Sequence, residues 1–323
     1  MVGYTLAYVC FLQNLDKINQ LIVDFNQFLK YCDSKVIREA EAESNRYTKY
    51  LLSYVTGSLV FNFFWQMMST KTCMQQRGGD FYVKHDPCWM PVRNLYPFDA
   101  NQSRYFWIVF PIETVYSYHV SCFFSLATAT IIGFLIHIGC QFKCCSAKFE
   151  HVFDTIQKDE ESQKKARFEF IELIKYYQGI QEYSQRVFQV FSSTIIVYIA
   201  LTSLLVAVIG YQIVNPKIST QDRIKYAMLL VAWCLLVYSI CLYGQELQDE
   251  ALKVGDSIFK SNWHKHGMAL KVKPELIFTL ARTQKPLEFK TQMIGSISLM
   301  QFMRVMKCAY SGLTLLLAVT DDE

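Results

Sequence analysis

Between Tyr105 and Phe142 the chain runs for nearly forty residues, and Pro111 is the one strong helix-stopping residue in that stretch. As a helix the stretch would be about 57 Å long, almost twice the thickness of the hydrocarbon core of a bilayer. Such a helix fits a membrane protein in which one end projects well beyond the lipid. Because charged residues follow from Lys143 onward, we expect the projecting end to be cytoplasmic.

The composition agrees with a membrane protein that crosses the bilayer several times. Of 323 residues, 52% are hydrophobic and 15% aromatic, and the apolar residues are clumped into runs. The net charge of +4 is modest and the basic residues form no single block, which argues against nucleic-acid binding. Most of the eleven cysteines lie in or beside apolar segments, where we interpret them as small hydrophobic residues.

The apolar pattern predicts an all-α membrane helical bundle that forms one transmembrane domain over residues 1–323. The apolar run 1–13 is too short to cross the bilayer and indicates a partial span. We therefore expect the chain to lack a first span and most of a second. Asn215-Pro216 predicts a sharp helix end. Five full spans are expected, at about residues 51–69, 105–142, 188–214, 226–243 and 292–319.

Three polar segments separate these spans, and we interpret them as cytoplasmic anchor segments: 14–50, 143–187 and 244–290. From Asn14 to about Arg46, apolar residues recur at the spacing of one helix face, which predicts a continuous amphipathic helix. The three segments carry 22 Lys and Arg residues, against 8 in the remaining loops and the tail. The positive-inside rule then predicts an extracellular C-terminus.

The loop 70–104 is expected on the extracellular side. It contains the only N-glycosylation triplet of the chain, which starts at Asn101. Cys73 and Cys88 flank the same loop. They could form a disulfide in an oxidising compartment or remain unpaired, and the sequence leaves both alternatives open.

Two basic residues lie near the middle of the last span, Arg304 and Lys307. A charged residue there costs about 2.5–3.5 kcal/mol on insertion scales. One interpretation is that these side chains reach the interface or form an internal salt bridge. The other is that one face of this helix lines a water-filled path between several copies. Further polar side chains follow at compatible intervals: Ser298, Gln301, Ser311 and Thr314.

No enzyme, metal or cofactor is predicted. The acidic cluster Glu246, Asp249 and Glu250 has no converging histidines, so helix capping and subunit contacts are the better interpretation. A second group, Cys140, Cys144 and Cys145, lies where the long span leaves the membrane. Such cysteines can be palmitoylated, although a structural role is the simpler interpretation.

Three blocks of the C-terminal quarter together resemble a known family. They are YGQELQDEALKVGDSIFKSNWHKH, LARTQKPLEF and SLMQFMRVMKCAYSGLTLLL, in that order. Their order and spacing are similar to the C-terminal signature of the insect odorant receptors. The loop LYPFDANQSRYFW resembles the second extracellular loop of that family, and the spans from Leu51 onward fit its third to seventh spans.

The resemblance implies a seven-span, ligand-gated cation channel with a cytoplasmic N-terminus, formed as a tetramer with a shared olfactory co-receptor. The chain lacks the long cytoplasmic insertion of the co-receptor, so it resembles a ligand-tuning subunit in the plasma membrane of sensory neuron dendrites. In the family the last helix lines the pore, which implies a pore helix with Ser298, Gln301, Phe302, Arg304, Lys307, Tyr310 and Ser311. The polar segment before that helix implies an anchor between subunits with Gln245, Glu246, Trp263, Gln284, Lys285 and Pro286.

The family binds small volatile odorants in the outer half of its bundle. The resemblance therefore implies candidate ligand-binding residues on the first two full spans: Phe61, Phe64, Trp65, Tyr116, Tyr118, His119 and Phe123. Ordinary core packing is the alternative for each of them. An apolar pocket with few polar groups suits uncharged volatile ligands.

Other classes of membrane protein remain as alternatives. A G-protein-coupled receptor would carry an Asp-Arg-Tyr style motif and a late Asn-Pro-x-x-Tyr motif, and the sequence has neither. A gustatory-type chemoreceptor of the same architecture would carry a different C-terminal signature. A non-functional truncated receptor and a passive structural membrane protein complete the alternatives.

Overall fold

The computed structural model describes residues 2–76, 103–154, 159–216, 218, 220–264, 268–285, 287 and 297–321. Across these residues the chain is helical, with no strand, which confirms the predicted all-α fold. The helices in chain order are α1 (Val2–Gln13), α2 (Leu15–Leu29), α3 (Ser34–Gln76), α4 (Ser103–His151), α5 (Glu160–Val214), α6 (Thr220–Lys260), α7 (Met268–Thr283) and α8 (Leu299–Asp321).

Helix α4 is unbroken over 49 residues and contains Pro111. Its length is about 74 Å, so it extends far beyond the thickness of a bilayer. The helix continues past the predicted end at Phe142 as far as His151. We call the end of the bundle that holds the C-terminal part of α4 the inner end, and the opposite end the outer end.

Helix α5 has clear signals at both of its ends. The carboxylate of Asp159 accepts a hydrogen bond from the backbone N–H of Ser162 at 2.9 Å, which caps the helix start. The helix ends at Val214, directly before Asn215-Pro216, as that pair predicts.

The predicted continuous helix from Asn14 to Arg46 is wrong. The helix ends at Leu29, and α3 begins at Ser34. The carboxylate of Asp33 accepts a hydrogen bond from the backbone N–H of Lys35 at 3.1 Å. An aspartate in this position favours a helix start, because its side chain satisfies a backbone donor that has no partner inside the helix. We call residues 30–33 the elbow.

Helix α2 packs on α5 through its predicted apolar face, with Ile18, Leu21 and Phe28 buried. Two polar contacts fix its position. The hydroxyl of Tyr183 donates to the backbone carbonyl of Leu21 at 2.9 Å. The guanidinium of Arg186 donates to the carboxylate of Asp24 at 2.7 Å.

The best-buried part of the molecule is the inner end, where α4 and α5 meet. Five large aromatic side chains are fully buried there: Phe142, Phe149, Phe153, Phe170 and Tyr177. Their rings contact one another across the two helices, with centroids 5.3 to 6.1 Å apart. Burying a side chain of this size contributes about 1.5–3 kcal/mol, so this cluster is a major source of stability.

Within the described residues, four helical segments are long and apolar enough to cross a membrane. They are Ile108–His151, Glu160–Val214, Asp222–Lys260 and Leu299–Val319. These segments contain the whole of the predicted spans 188–214 and 226–243 and most of the predicted span 105–142. The predicted span 51–69 lies inside α3 and stays a prediction. The last predicted span begins at residue 292, whereas the described helix begins at Leu299.

Candidate functional site

An aromatic cluster joins α1 to the outer part of α4. It consists of Tyr4 and Tyr8 from α1 and Tyr116, His119 and Phe123 from α4. The ring of Tyr4 lies 5.8 Å from Tyr116, 5.9 Å from His119 and 5.7 Å from Phe123, in edge-on arrangements. Edge-to-face packing of this kind contributes about 0.5–1.5 kcal/mol per pair beyond the burial of area. The helices α1 and α4 are therefore held together by rings.

The cluster contains one polar contact. The hydroxyl of Tyr4 forms a hydrogen bond with Nδ1 of His119, and either atom can be the donor, depending on the tautomer of the ring. The ring of Tyr8 also contacts His119, with centroids 5.7 Å apart. An imidazole and two phenols together offer a ligand both donors and acceptors of hydrogen bonds.

Below the cluster, Phe124 connects α4 to α5 and α6. Its ring lies 5.2 Å from Tyr198 of α5 and 4.8 Å from Trp233 of α6. The hydroxyl of Tyr198 donates to the backbone carbonyl of Phe124 at 2.9 Å, and Thr128 donates to that hydroxyl at 3.4 Å. A change in the packing of the aromatic cluster therefore has a direct path to α5 and α6.

The structure separates the seven predicted ligand-binding residues. Tyr116, His119 and Phe123 come together in the aromatic cluster. Phe61 and Trp65 stack on each other along α3, with centroids 5.1 Å apart. The two remaining residues point outward: Phe64 is 61% exposed and Tyr118 is 51% exposed.

Sequence reasoning missed the aromatic residues that α1 brings to this site: Tyr4 and Tyr8 of the cluster, and Phe11 beside it. Because the segment is too short to cross the bilayer, the sequence pattern predicts no role for its side chains. Their spacing of four and then three residues places all three on one face of a helix, which was the available signal. The ring of Phe11 extends this face, 5.8 Å from Phe123.

The predicted pore helix, α8, has one face packed against the bundle. Gln301, Val305 and Ala309 are buried on this face at helical spacing. Phe302 lies beside it and contacts the ring of Tyr238 in α6 at 5.4 Å. Ser298 lies just before the helix, where its carbonyl accepts the backbone N–H of Gln301 at 2.9 Å. Gln301 and Phe302 are therefore packing residues of the single chain.

The opposite face of α8 is exposed and carries the other predicted pore residues. Arg304, Lys307, Tyr310 and Ser311 lie on it, and Tyr310 is 68% exposed. The hydroxyl of Ser311 donates to the carbonyl of Lys307 at 3.1 Å along the helix. This face combines apolar and basic side chains, which neither lipid nor water alone solvates well.

The predicted anchor is built on α6. Gln245 donates to the carboxylate of Asp249 at 2.9 Å, and Lys253 donates to that of Glu250 at 2.8 Å. These pairings lie within one helix, so the predicted use of the acidic cluster in helix capping and subunit contacts stays a prediction. Glu246 lines a cavity of about 310 Å³ between α3, α4 and α6, beside Glu43, Lys143, Tyr243 and Lys253.

A glycine in the anchor allows the segment before α8 to approach α6 closely. A Cβ atom on Gly244 would lie 2.7 Å from Cγ2 and 3.0 Å from the carbonyl oxygen of Ile297. Gln248, one turn later, donates to that same carbonyl at 2.8 Å. The start of α8 is thus attached to α6 by one close backbone contact and one hydrogen bond.

The other anchor residues lie at the inner end. Trp263 is half-buried against the core, and its backbone N–H donates to the carbonyl of Ser261 at 2.7 Å. Gln284 and Lys285 are exposed just after α7. Pro286, Asn101 and Cys88 lie outside the described residues, as does the side chain of Cys73.

Comparison with known proteins gives a consistent result. A family model described as "7tm Odorant receptor" matches residues 2–310. Odorant receptor 67c of Drosophila melanogaster is 23% identical over 223 residues, 68% of this chain and 53% of that protein. Odorant receptor 82a of the same species is 22% identical over 231 residues, 71% of this chain and 58% of that protein. The chain thus spans a little over half the length of these relatives.

Solved structures show the same fold. The insect olfactory receptor OR5 from Machilis hrabei superimposes with a TM-score of 0.66 at 16% identity, over 98% of this chain and 78% of that one. The same receptor in complex with eugenol gives a TM-score of 0.65 at 17% identity, with the same coverage.

Proposed function

The chain belongs to the 7tm odorant receptor family, and on this premise we propose that it is the ligand-tuning subunit of an odorant-gated cation channel. The observation that carries the proposal is the aromatic cluster between α1 and α4, which gives the receptor a recognition element for small molecules. The exposed, partly basic face of α8 would line the path through which cations pass.

The proposed ligand is a small, uncharged volatile molecule. Aromatic rings offer it apolar contact area, and the Tyr4–His119 pair offers one hydrogen-bonding position. A charged ligand would need an ionised partner, and the cluster itself contains tyrosines, a histidine and a phenylalanine. Eugenol is a useful probe because a solved relative binds it.

The proposed channel is a hetero-tetramer with a shared olfactory co-receptor, in the plasma membrane of sensory neuron dendrites. In such a tetramer α8 would turn its basic face toward a water-filled path shared with the last helices of the other subunits, which removes the cost of holding Arg304 and Lys307 in lipid. The inner end, with its anchor residues on α6, would then be cytoplasmic and the C-terminus extracellular.

Co-expression with the co-receptor in a heterologous cell tests the function. We expect cation currents in response to at least one member of a panel of uncharged volatiles that includes eugenol. The variant Tyr4→Phe removes the hydroxyl that contacts His119 and keeps the ring. A neutral hydrogen bond contributes about 0.5–1.5 kcal/mol, so the half-maximal ligand concentration should rise by about two- to tenfold if the ligand uses this position.

The matched control is Tyr118→Phe, which removes an outward-facing hydroxyl from the same helix. It should leave the half-maximal concentration unchanged. A chain that reaches the cell surface with the co-receptor and gives no current with any panel member would contradict the proposed function. An epitope tag at the C-terminus tests the orientation, since labelling only after permeabilisation would contradict an extracellular C-terminus.

A further inference from the structure

Three cysteine side chains converge where the elbow meets the inner part of α4. Cys32 belongs to the elbow, and Cys140 and Cys144 lie one turn apart on a single face of α4. The three Sγ atoms all lie within 4.8 Å of one another. We call Cys32, Cys140 and Cys144 the thiol triad.

Within the triad, Cys32 and Cys144 are positioned for a covalent bond. Their Cα atoms are 5.6 Å apart. Disulfides usually join Cα atoms that lie about 4.4–6.8 Å apart. The pair can therefore form a disulfide without movement of the backbone, although 112 residues separate them in sequence.

The surroundings of the triad hold these side chains in place. Cys140 contacts the backbone carbonyl of Val36 at 3.7 Å, at the start of α3. The side-chain oxygen of Gln141 lies 3.3 Å from the sulfur of Cys32 and accepts a hydrogen bond from Tyr176 at 2.6 Å. The ring of Tyr31 stacks on Tyr176 at 4.1 Å. The elbow is thus docked on α4 and α5 around the thiols.

Burial differs within the triad and determines which thiol meets a reagent first. Cys140 and Cys144 are buried, whereas Cys32 is half-buried. An oxidant from solvent therefore reaches Cys32 before the others. Burial also weakens the alternative of palmitoylation for Cys140, Cys144 and the fully buried Cys145, because a lipid chain has no access to these thiols.

We propose that the thiol triad is a redox modification site, at which oxidation joins Cys32 to Cys144 and locks the elbow to α4. A hydroperoxide oxidises the Cys32 thiol to a sulfenic acid and is reduced to the alcohol or to water. The Cys144 thiol then attacks this sulfur, a disulfide forms, and water leaves with the oxygen. A dithiol reductant reverses the step by thiol–disulfide exchange.

The resting state of the site follows from the proposed orientation of the receptor. The inner end would face the cytoplasm, where thiols are kept reduced, so the triad would rest as free thiols. The capacity to form the bond follows from the geometry alone and does not depend on odorant binding. Cys140 gives the site a second acceptor, because its sulfur lies within the same 4.8 Å and can replace Cys144.

The lock would connect several helices. Cys144 is on α4, and Cys32 is joined through α2 to α5 by the Tyr183 and Arg186 contacts. The elbow would then have fixed positions against both α4 and α5. A soft metal ion held by three thiolates is the rival use of the same group, since such ions favour sulfur ligands.

Tryptic mapping of the purified chain tests the proposal directly. Cleavage after Lys30 and Lys35 releases Cys32 in the peptide YCDSK, and cleavage after Lys143 and Lys148 releases CCSAK. Cys140 leaves in a separate peptide, 105–143. After treatment with hydrogen peroxide and blocking of free thiols, we expect YCDSK linked to CCSAK, at the summed peptide mass less two hydrogen atoms plus one blocking group on the remaining cysteine of CCSAK.

Variants of the full chain assign the bond. Cys145→Ala leaves Cys144 as the sole thiol of its peptide and should retain the link. Cys32→Ser should abolish it, and Cys144→Ser should transfer it to peptide 105–143. A dithiol reductant should remove the link in every case. The mapping on the unmodified chain needs no variant, so a variant that fails to fold does not decide the result.

Two results would overturn the proposal. One is the absence of the YCDSK–CCSAK link after oxidation of a chain that elutes as a folded species. The other is copurification of a stoichiometric zinc or copper ion that protects all three thiols from the oxidant, which would assign the triad to a metal. Neither result decides whether odorants evoke a current. Failure of this site and failure of the proposed function therefore remain distinguishable.

Discussion

Helices α4 and α8 are both apolar enough to cross a membrane, yet the rest of the chain covers them very differently. In the most apolar stretch of each helix, 67% of α4 is buried inside the chain, against 11% of α8. The exposed residues of α8 include Arg304, Lys307 and Tyr310. Hydropathy therefore identifies both helices as spans and says nothing about what covers them.

The difference separates two kinds of role. Because α4 is covered by its own chain, its side chains contribute to the folding of a single subunit. The outer face of α8 is left for lipid, water or other subunits, and a charged residue at mid-bilayer is costly unless it meets water or a partner. Substitutions in α4 should therefore act on stability, and substitutions on α8 should act on assembly and conduction.

The variant Phe142→Ala should give the largest effect. Phe142 is fully buried in α4 and contacts Tyr177 across the inner end. Removing such a ring costs about 3–5 kcal/mol, so little folded chain should survive solubilisation and mild heating. Met303→Ala on α8 is the control, because this side chain is 53% exposed. Its yield of folded chain should stay close to that of the parent. Equal losses of folded chain in the two variants would contradict the proposed difference between α4 and α8.

The variant Gly244→Ala should have an intermediate effect. The new methyl group would meet the side chain and the backbone oxygen of Ile297, so α6 and the start of α8 must separate. Overpacking of this kind costs about 1–3 kcal/mol, measurable as a lower unfolding temperature. Gly139→Ala on α4 is the matched control, because no neighbouring atom lies within 4 Å of the added carbon. The control should be neutral or stabilising, by about 0.5–1 kcal/mol.

Neutralising the basic face of α8 should change conduction and hardly change stability. Arg304→Gln and Lys307→Gln remove positive charge from the proposed cation path, so whole-cell cation currents should increase at equal surface expression. The unfolding temperature should remain near that of the parent, since exposed substitutions usually stay within about 0.5 kcal/mol. Lys285→Gln, outside α8, is the control for current. Lower stability with unchanged current would contradict the role assigned to this face.

Mild acidification should have the smallest effect. The side-chain hydrogen bond from Gln20, and then that from Arg186, lowers the pKa of Asp24. The hydrogen bond from Arg167 lowers the pKa of Glu275 in the same way. Their stabilisation is present above the ordinary values, about 3.9 and 4.3, and is lost only as pH falls through the lowered values.

Between about pH 8 and pH 5 these two ion pairs should therefore cause no change in the unfolding temperature, because their contribution is constant there. Thermal unfolding across this range is the measurement, with Arg167→Gln as the variant that removes one pair. A change in the unfolding temperature near pH 6 that disappears in this variant would contradict the lowered pKa of Glu275.

Much of the helical architecture could be predicted because it depends on local signals. The length of α4 and the stop at Asn215-Pro216 follow from apolar run length and from the missing N–H of proline. The break at the elbow could not be predicted, because the apolar spacing of α2 runs on without interruption. There a capping carboxylate, Asp33, and the docking of Tyr31 decide the outcome, and the second of these is a tertiary contact.

The candidate site was predicted in part for the same reason. The resemblance implies Tyr116, His119 and Phe123 as candidates, but their partners Tyr4 and Tyr8 lie more than a hundred residues away in sequence. Apolarity alone also does not identify which side of α5 faces the core. Phe168 is 65% exposed, whereas Gln181 and Ser184 of the same helix are buried. The spacing of apolar residues identifies one face of a helix, and only the packing of the whole chain determines what that face contacts.

The unbroken length of α4 sets a rule for how this receptor can vary. Helix α4 carries part of the aromatic cluster and two members of the thiol triad, and each residue turns that helix by about 100°. Deleting a single residue between Phe124 and Leu135 would rotate everything after it by that angle and turn Phe142 and Phe149 out of the core of the inner end. Variation in ligand preference must therefore proceed by exchange of side chains along α4, since insertions and deletions there would destroy the register of the whole bundle.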